Sequence, residues 1–326
     1  VSQQRFLFGF FCWFGLFWNV PMAEAEESDF LVIRAGNGNA TERINGTILD
    51  INGRTGAIIR VDGQDTQIPM EKVVHFGTTM TEAHVNGEQA MKVGDYKSAS
   101  ELFRAARTEE SRIWVKRQIT ARLVQALTAQ KEFEQASREF YLLAQSDPET
   151  PYMASIPIPW FTSLDGGQEQ IALRLGKQGI DRADNPAMQL LAAGLLLTSP
   201  QRNKALEVLE RLSKSPNKSI AAIATAQLWR PKLFDATMHD ALAWEELTDA
   251  MPEPVRAGPH YLLGGIFARL KEPENAVAHW MKVPILFPEQ RELAERSRSH
   301  AASTLESLGR PEQAEKLRTM IIGQAL

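Results

Sequence analysis

The chain of 326 residues has a single cysteine. Cys12 sits in the middle of an apolar run, directly after Phe10 and Phe11. A lipidated cysteine would follow such a run behind small residues, so lipidation is excluded. Once that run is removed no thiol remains, which excludes disulfides, zinc–thiolate sites and a cysteine nucleophile. Charge of one sign is also missing. Lys and Arg number 36 against 40 Asp and Glu, giving a net charge of −4 and a pI near 6.0, which argues against a dedicated nucleic-acid binder. Histidine is sparse, and the six at 75, 84, 239, 260, 279 and 300 are scattered. No HExxH pair, phosphate-cradling GxxxxGK(S/T), nucleophile-elbow GxSxG or dinucleotide GxGxxG occurs. Asp235 and His239 are spaced to share a helix face, but two ligands make a poor metal site. Adjacent carboxylates such as Glu109–Glu110 and Glu245–Glu246 are ordinary on helices. No catalytic residue, metal ligand or cofactor is therefore expected.

One long apolar run is present, FLFGFFCWFGLFW from Phe6 to Trp18. Arg5 precedes it, Asn19 and Pro21 break it, and Ala23 and Ala25 supply small residues at the −3 and −1 positions of a cleavage site. That order predicts a secretory signal peptide over 1–25. The alternative is a retained anchor, but the run is shorter than the roughly 20 residues a bilayer span requires. No other segment is apolar enough to cross a membrane. The expected location is the periplasm or cell envelope, with secretion from the cell the alternative.

Residues 26–78 read as β structure. FLVIRA, INGTILDIN, GAIIRVDG, DTQIP and KVVHF are short β-rich runs punctuated by Asn37-Gly38-Asn39, Asn52-Gly53, Asp62-Gly63 and Pro69. Asn-Gly and Asp-Gly favour tight hairpins because both residues tolerate positive φ. Five such strands predict a small antiparallel barrel, since closure removes exposed edges. The pattern resembles the Sm-like small barrels. For an exported chain of balanced charge, a packing or oligomerisation module is expected ahead of RNA binding. Asn39 and Asn45 stand in N-x-T glycosylation patterns.

From residue 79 the pattern is helical and recurrent. VGDYKSASELFRAA carries Gly94, Tyr96, Ala99, Phe103 and Ala106, with Gly87 in the helix before it. KEFEQASREFYLLAQSDP repeats the spacing with Phe133, Ala136, Phe140, Leu143 and Pro148. Further on come Gly264, Pro273, Ala276, Trp280, Val283 and Pro288, then Gly309, Pro311, Ala314 and Ile321, with Arg318 where an aromatic would stand. PAMQLLAAGLLLTSPQRNKALEVLERL adds a weaker copy through Ala205, Leu209 and Leu212. Ala99 and Ala136 lie 37 residues apart and Ala276 and Ala314 lie 38 apart, close to the period of roughly 34 for helix–turn–helix repeats. A small residue early in each second helix lets the pair approach, and large residues a turn or two later fill the gap to the next pair. The alternative is a set of unrelated hairpins in an irregular bundle.

The set from Gly87 to Ala106 resembles the tetratricopeptide-repeat family. The resemblance implies a mainly α fold, a right-handed α-superhelix preceded by the small β-barrel. Two repeats are expected over 79–149, a Pro/aromatic insertion and connecting helix over 150–185, and further helical pairs over 186–326. It implies a concave face that binds a protein or peptide, with His84, Glu88, Met91, Gln118, Gln125 and Thr128 pointing inward. The lysines and asparagines with which some members grip a C-terminal carboxylate are absent.

Two segments stand apart. RIWVKRQITARLVQAL places Arg112, Lys116, Arg117 and Arg122 around an apolar face. They form either a basic patch for an acidic partner or lipid surface, or a solvated face with snorkelling stems. TPYMASIPIPWFTSLDGG has prolines at 151, 157 and 159 and cannot be regular helix, yet Tyr152, Met153, Trp160 and Phe161 make it too apolar for a loose linker. Trp160 and Phe161 are expected to anchor it, either plugging a seam or contacting a ligand. These features together point to a non-catalytic protein-binding scaffold of the envelope that crosses no membrane after signal cleavage. The alternatives are an envelope enzyme or carbohydrate-processing accessory with a pocket under 150–167, or a structural subunit forming homo-oligomers through the barrel.

Overall fold

The structure is a computed structural model that describes residues 29–36, 40–161 and 166–320. The signal peptide expected over 1–25, Asn39 and Ile321 lie outside these residues. Among the described residues no helix is long and apolar enough to cross a membrane.

Six strands open the described chain: β1 (Phe30–Arg34), β2 (Thr41–Asn45), β3 (Thr47–Asn52), β4 (Gly56–Val61), β5 (Gln64–Ile68) and, after a 3₁₀ turn at Met70–Lys72, β6 (Val73–Gly77). The β4–β5 hairpin turns on Asp62 and Gly63 at φ 50° and 80°, with Val61 paired to Gln64, as the Asp-Gly signal requires. The expected barrel is corrected. The strands form two antiparallel sheets of order β2-β1-β6 and β3-β4-β5, and no ladder joins β5 to β6. INGTILDIN, read as one strand, contributes to two. The chain bends at Gly46, whose N–H donates to the Asp29 carbonyl at 2.9 Å and whose missing Cβ would collide with the Arg60 carbonyl. At the other end Pro69 has no N–H to extend β5. It opens the 3₁₀ turn, with Lys72 N–H on its carbonyl at 3.0 Å, and this turn carries the chain across the gap between the sheets.

Thirteen α-helices follow among the described residues. They are α1 (Glu82–Val93), α2 (Tyr96–Glu109), α3 (Ile113–Ala129), α4 (Phe133–Ser146), α5 (Gly166–Gly179), α6 (Pro186–Leu196) and α7 (Arg202–Leu212), then α8 (Lys218–Trp229), α9 (Met238–Ala250), α10 (Ala257–Arg269), α11 (Pro273–Leu286), α12 (Arg291–Ser307) and α13 (Pro311–Thr319). Four of the turns share one geometry. The residue after the first helix or one place beyond is left-handed, Gly94, Lys131, Lys271 and Gly309 at φ 79°, 63°, 63° and 71°. The next N–H reaches back five residues to a helix carbonyl at 2.9 Å: Asp95 to Ala90, Glu132 to Leu127, Glu272 to Phe267, Arg310 to Leu305. This is a Schellman closure. It sets the second helix so that Ala99, Ala136, Ala276 and Ala314, five residues past each left-handed position, are fully buried. Within the hairpins, an added Cβ at Gly87 would stand 2.8 Å from the Phe103 ring and one at Gly264 2.5 Å from the Trp280 ring.

From α6 onward α6 packs on α7, α10 on α11 and α12 on α13, but α8 and α9 do not form such a pair. Helix α8 packs on α6 and α7 while α9 packs on α10. The indoles of Trp229 and Trp244 bridge α8 to α9, stacked at 5.0 Å and 4°. Two long-range contacts shape the whole. Helix α12 returns to touch α3, and the β unit shares one continuous core with the helices. Trp114 at the start of α3 makes that junction: its indole N–H donates to the Ile48 carbonyl at 3.2 Å, and Phe76 meets it edge-on at 5.8 Å. Beside it Arg112 spans Glu110, Asp29 and the Thr79 carbonyl.

Candidate functional site

The segment 150–161 between α4 and α5 is a plug rather than a loop on the surface. With prolines at 151, 157 and 159 it forms only one 3₁₀ turn, Met153–Ser155, and side chains from distant elements reach carbonyls of the segment and of Glu149 just before it. Asn217 donates to the carbonyl of Glu149 at 3.2 Å, Gln227 to Pro159 at 3.2 Å, and Gln290 to Ala154. The guanidinium of Arg230 donates to Phe161 at 2.8 Å, to Gly194 at 3.0 Å and to the Gln227 amide oxygen at 2.8 Å. Burial lowers the pKa of Arg230 to about 10, well above neutral pH, so it stays a cation held by dipoles. Two glycines make room for the plug: a Cβ at Gly194 in α6 would strike Ile158, and one at Gly258 in α10 would strike Trp160.

Between the plug, the end of α3 and the start of α12 lies a cavity of about 70 Å³, lined among others by Gln125, Thr128, Phe133, Trp160, Phe161 and Glu289. Trp160 is 8% exposed, so it serves as both anchor and wall. Phe161 is covered from one side by the Arg296 guanidinium, 4.2 Å from the ring centroid. Glu289 is half-buried, and its carboxylate has no ion-pair partner among the described residues, only a hydrogen bond from its own backbone N–H. Burial raises its pKa, against smaller opposing pulls from that N–H and from Arg122.

Four of the sequence-selected residues thus meet at one place: Gln125, Thr128, Trp160 and Phe161. The other four do not. His84 is corrected from a groove position to the interior of the first hairpin, fully buried and edge-on to Phe103 at 6.1 Å. Neither ring nitrogen has a hydrogen-bond partner, and desolvation lowers its pKa. Met91 packs half-buried on the core, and Gln118 holds its side-chain oxygen buried without a partner. Glu88 grips Arg122 through both oxygens, at 2.7 and 2.5 Å.

The basic run is likewise charge-paired. Arg112 meets Glu110 at 2.8 Å, Arg117 meets Asp50 at 2.9 Å and Arg122 meets Glu88 at 2.5 Å, which leaves Lys116 alone of the four without a carboxylate. These pairs tie elements together and leave little open positive surface.

Sequence reasoning missed Glu289, Arg230, Gln227 and Gln290. Glu289 follows Pro288, where a carboxylate before a helix reads as ordinary surface. It also missed a chain of side chains, a half-buried glutamate leading to two buried histidines: Glu245 of α9 to His279 Nε2 at 3.1 Å, and His279 Nδ1 to His260 Nδ1 at 3.2 Å. Phe267 stacks on His279 at 5.2 Å. Among the described residues no group of three or more such ligands is placed to hold a metal. None of these three side chains lines the cavity.

No protein-family profile, curated protein or solved structure matches this chain.

Proposed function

We propose that the protein is a non-catalytic, protein-binding scaffold of the cell envelope, exported by its N-terminal apolar run. Its helical pairs are tetratricopeptide-like repeats winding as a right-handed superhelix, and its binding face is the crevice between α3, the plug and α12. The observation that carries the reading is the convergence of Gln125 and Thr128, on the first helix of a repeat, with Trp160 and Phe161 of the plug around one cavity. Four turns of the same geometry support the repeat reading. The Glu245–His279–His260 chain has acid–base character, but it stands away from that cavity, so it supports the fold more than a reaction.

The test is photo-crosslinking of the whole chain. A benzophenone side chain replaces Thr128 in one variant and Val85, exposed on α1, in another, and each is irradiated in envelope extract. A discrete adduct from position 128, absent from position 85, is the expected result. Identical bands from both positions, or none from 128, would refute the crevice as a binding face. An adduct of two copies of this chain would replace the adaptor by a self-assembling subunit.

A further inference from the structure

The cavity holds a carboxylate, Glu289, that forms no ion pair with any described residue. Around it the arginines are spoken for. Arg122 on α3 is chelated by Glu88, Arg291 pairs with Glu295 at 2.8 Å, and Arg296 pairs with Glu292 at 3.0 Å. Lys131, in the α3–α4 turn, lines the cavity from an exposed position and carries no ion pair. The plug from Thr150 to Phe161 contributes no charged residue, and α5 contributes Gln168. Glu289 is therefore the one cavity-lining carboxylate of the described residues without a counter-ion. A desolvated anion in a partly apolar pocket is costly unless a cation meets it.

The walls suit a cation with an apolar stem. Phe133, Trp160 and Phe161 present aromatic surface, and the neighbouring Arg296 already rests on Phe161, which shows that such stacking fits here. The Thr128 hydroxyl donates to the Val124 carbonyl at 2.8 Å, so its lone pairs face outward as acceptors. A volume of about 70 Å³ takes the end of one side chain, whereas sites for small-molecule cofactors run to about 300 Å³ or more.

We propose that this cavity receives one cationic side chain, a lysine ammonium or an arginine guanidinium carried by the protein partner, with Glu289 as its counter-ion. The inference rests on the crevice being the binding face. An acidic or phosphorylated side chain is disfavoured, because the half-buried charge of the lining is negative, whereas Lys131 lines the cavity from an exposed, solvated position.

The test uses the whole chain with N-acetyl-lysine amide and N-acetyl-arginine amide as probes. N-acetyl-norleucine amide and N-acetyl-citrulline amide serve as neutral counterparts, and the amide signals of Gln125 and Thr128 are followed by NMR. Saturable shifts with the cationic probes alone are expected. They weaken by about tenfold or more in E289Q, while E312Q on exposed α13 leaves them unchanged. Binding also weakens as pH falls and the carboxyl, whose pKa burial raises, takes up its proton. If E289Q fails to fold, E289D serves, with weaker binding and the same pH trend expected. Equal shifts from neutral and charged probes, or full affinity in E289Q, would overturn the proposal. An adduct at position 128 without charge discrimination removes this inference and leaves the scaffold. Saturation by the amine probes without any adduct removes the scaffold and leaves a free-amine site.

Discussion

The Nη2 atom of Arg230 donates to the carbonyl oxygen of Phe161 at 2.8 Å, across 69 residues of chain. The guanidinium is buried, and no carboxylate faces it among its contacts. Its partners are the carbonyls of Phe161 and Gly194 and the side-chain oxygen of Gln227. Both Nη atoms are matched to dipoles, while the buried Nε has no partner.

Arg230→Met therefore leaves two buried acceptors and one part-buried acceptor unpaired. Unsatisfied groups of this kind cost about 1–3 kcal/mol each with partial relaxation, so a net loss of about 3 kcal/mol is expected. Denaturant unfolding measures it. Chymotrypsin, whose sites include Tyr152, Trp160 and Phe161, should cut the plug earlier than in the parent chain. Unchanged cleavage with lowered stability would mean that Arg230 supports α8 and not the plug.

Glycine inside a helix normally loses to alanine by about 0.5–1 kcal/mol. Gly264→Ala should reverse that sign, since the new methyl would stand 2.5 Å from Trp280. Overpacking of this type costs about 1–3 kcal/mol. Gly87→Ala should behave alike against Phe103, at 2.8 Å. Pairing each with a smaller partner, G264A with W280L and G87A with F103L, should leave a coupling of about 1 kcal/mol in a double-mutant cycle. Additive effects would show that the hairpins adjust without the close approach.

Acid should weaken the fold earlier than carboxylate titration alone would dictate. Burial depresses His260 from its usual 6.5 to about 3, reinforced by Lys282, His279 and Arg256. Desolvation also lowers His279, against the opposing pull of Glu245 and Asp249. A depressed folded value means that the unfolded chain binds the proton first. The contribution is complete above pH 6.5 and is lost as pH falls toward 3, with a slope of up to about 1.4 kcal/mol per pH unit for each such group. Glu110, held down to about 2 by Arg112, adds its own loss only below 4.5. Denaturant midpoints between pH 7.5 and 5 should fall in the parent chain and flatten in H260Q. Parallel profiles would remove His260 from the account.

What could be read in advance was what neighbours in the chain decide. A turn, a small residue five places later and a ring after that interact within some twenty residues, so Gly94, Ala99 and Phe103 announced their hairpin. Asp62-Gly63 announced its turn for the same reason. Closure of the β unit was not legible, because it depends on whether β5 and β6 meet, and Pro69 and Trp114 decide that through contacts outside the strands. The cavity was half legible. Gln125, Thr128, Trp160 and Phe161 stood out locally, whereas Glu289 enters only because α12 folds back on α3. Gln290 reaches Ala154 over 136 residues, and no periodicity encodes such a meeting.

The anchors of the plug carry a temporal consequence. Asn217, Gln227, Arg230 and Gln290 all follow the stretch they secure, by 68, 68, 69 and 136 residues. During N-to-C synthesis the nascent chain exposes Met153, Ile156, Ile158 and Trp160 before any of those donors exists. These side chains must wait, shielded by a chaperone or by provisional contacts, until α8 and then α12 emerge. Maturation of the molecule is thus gated by its last third.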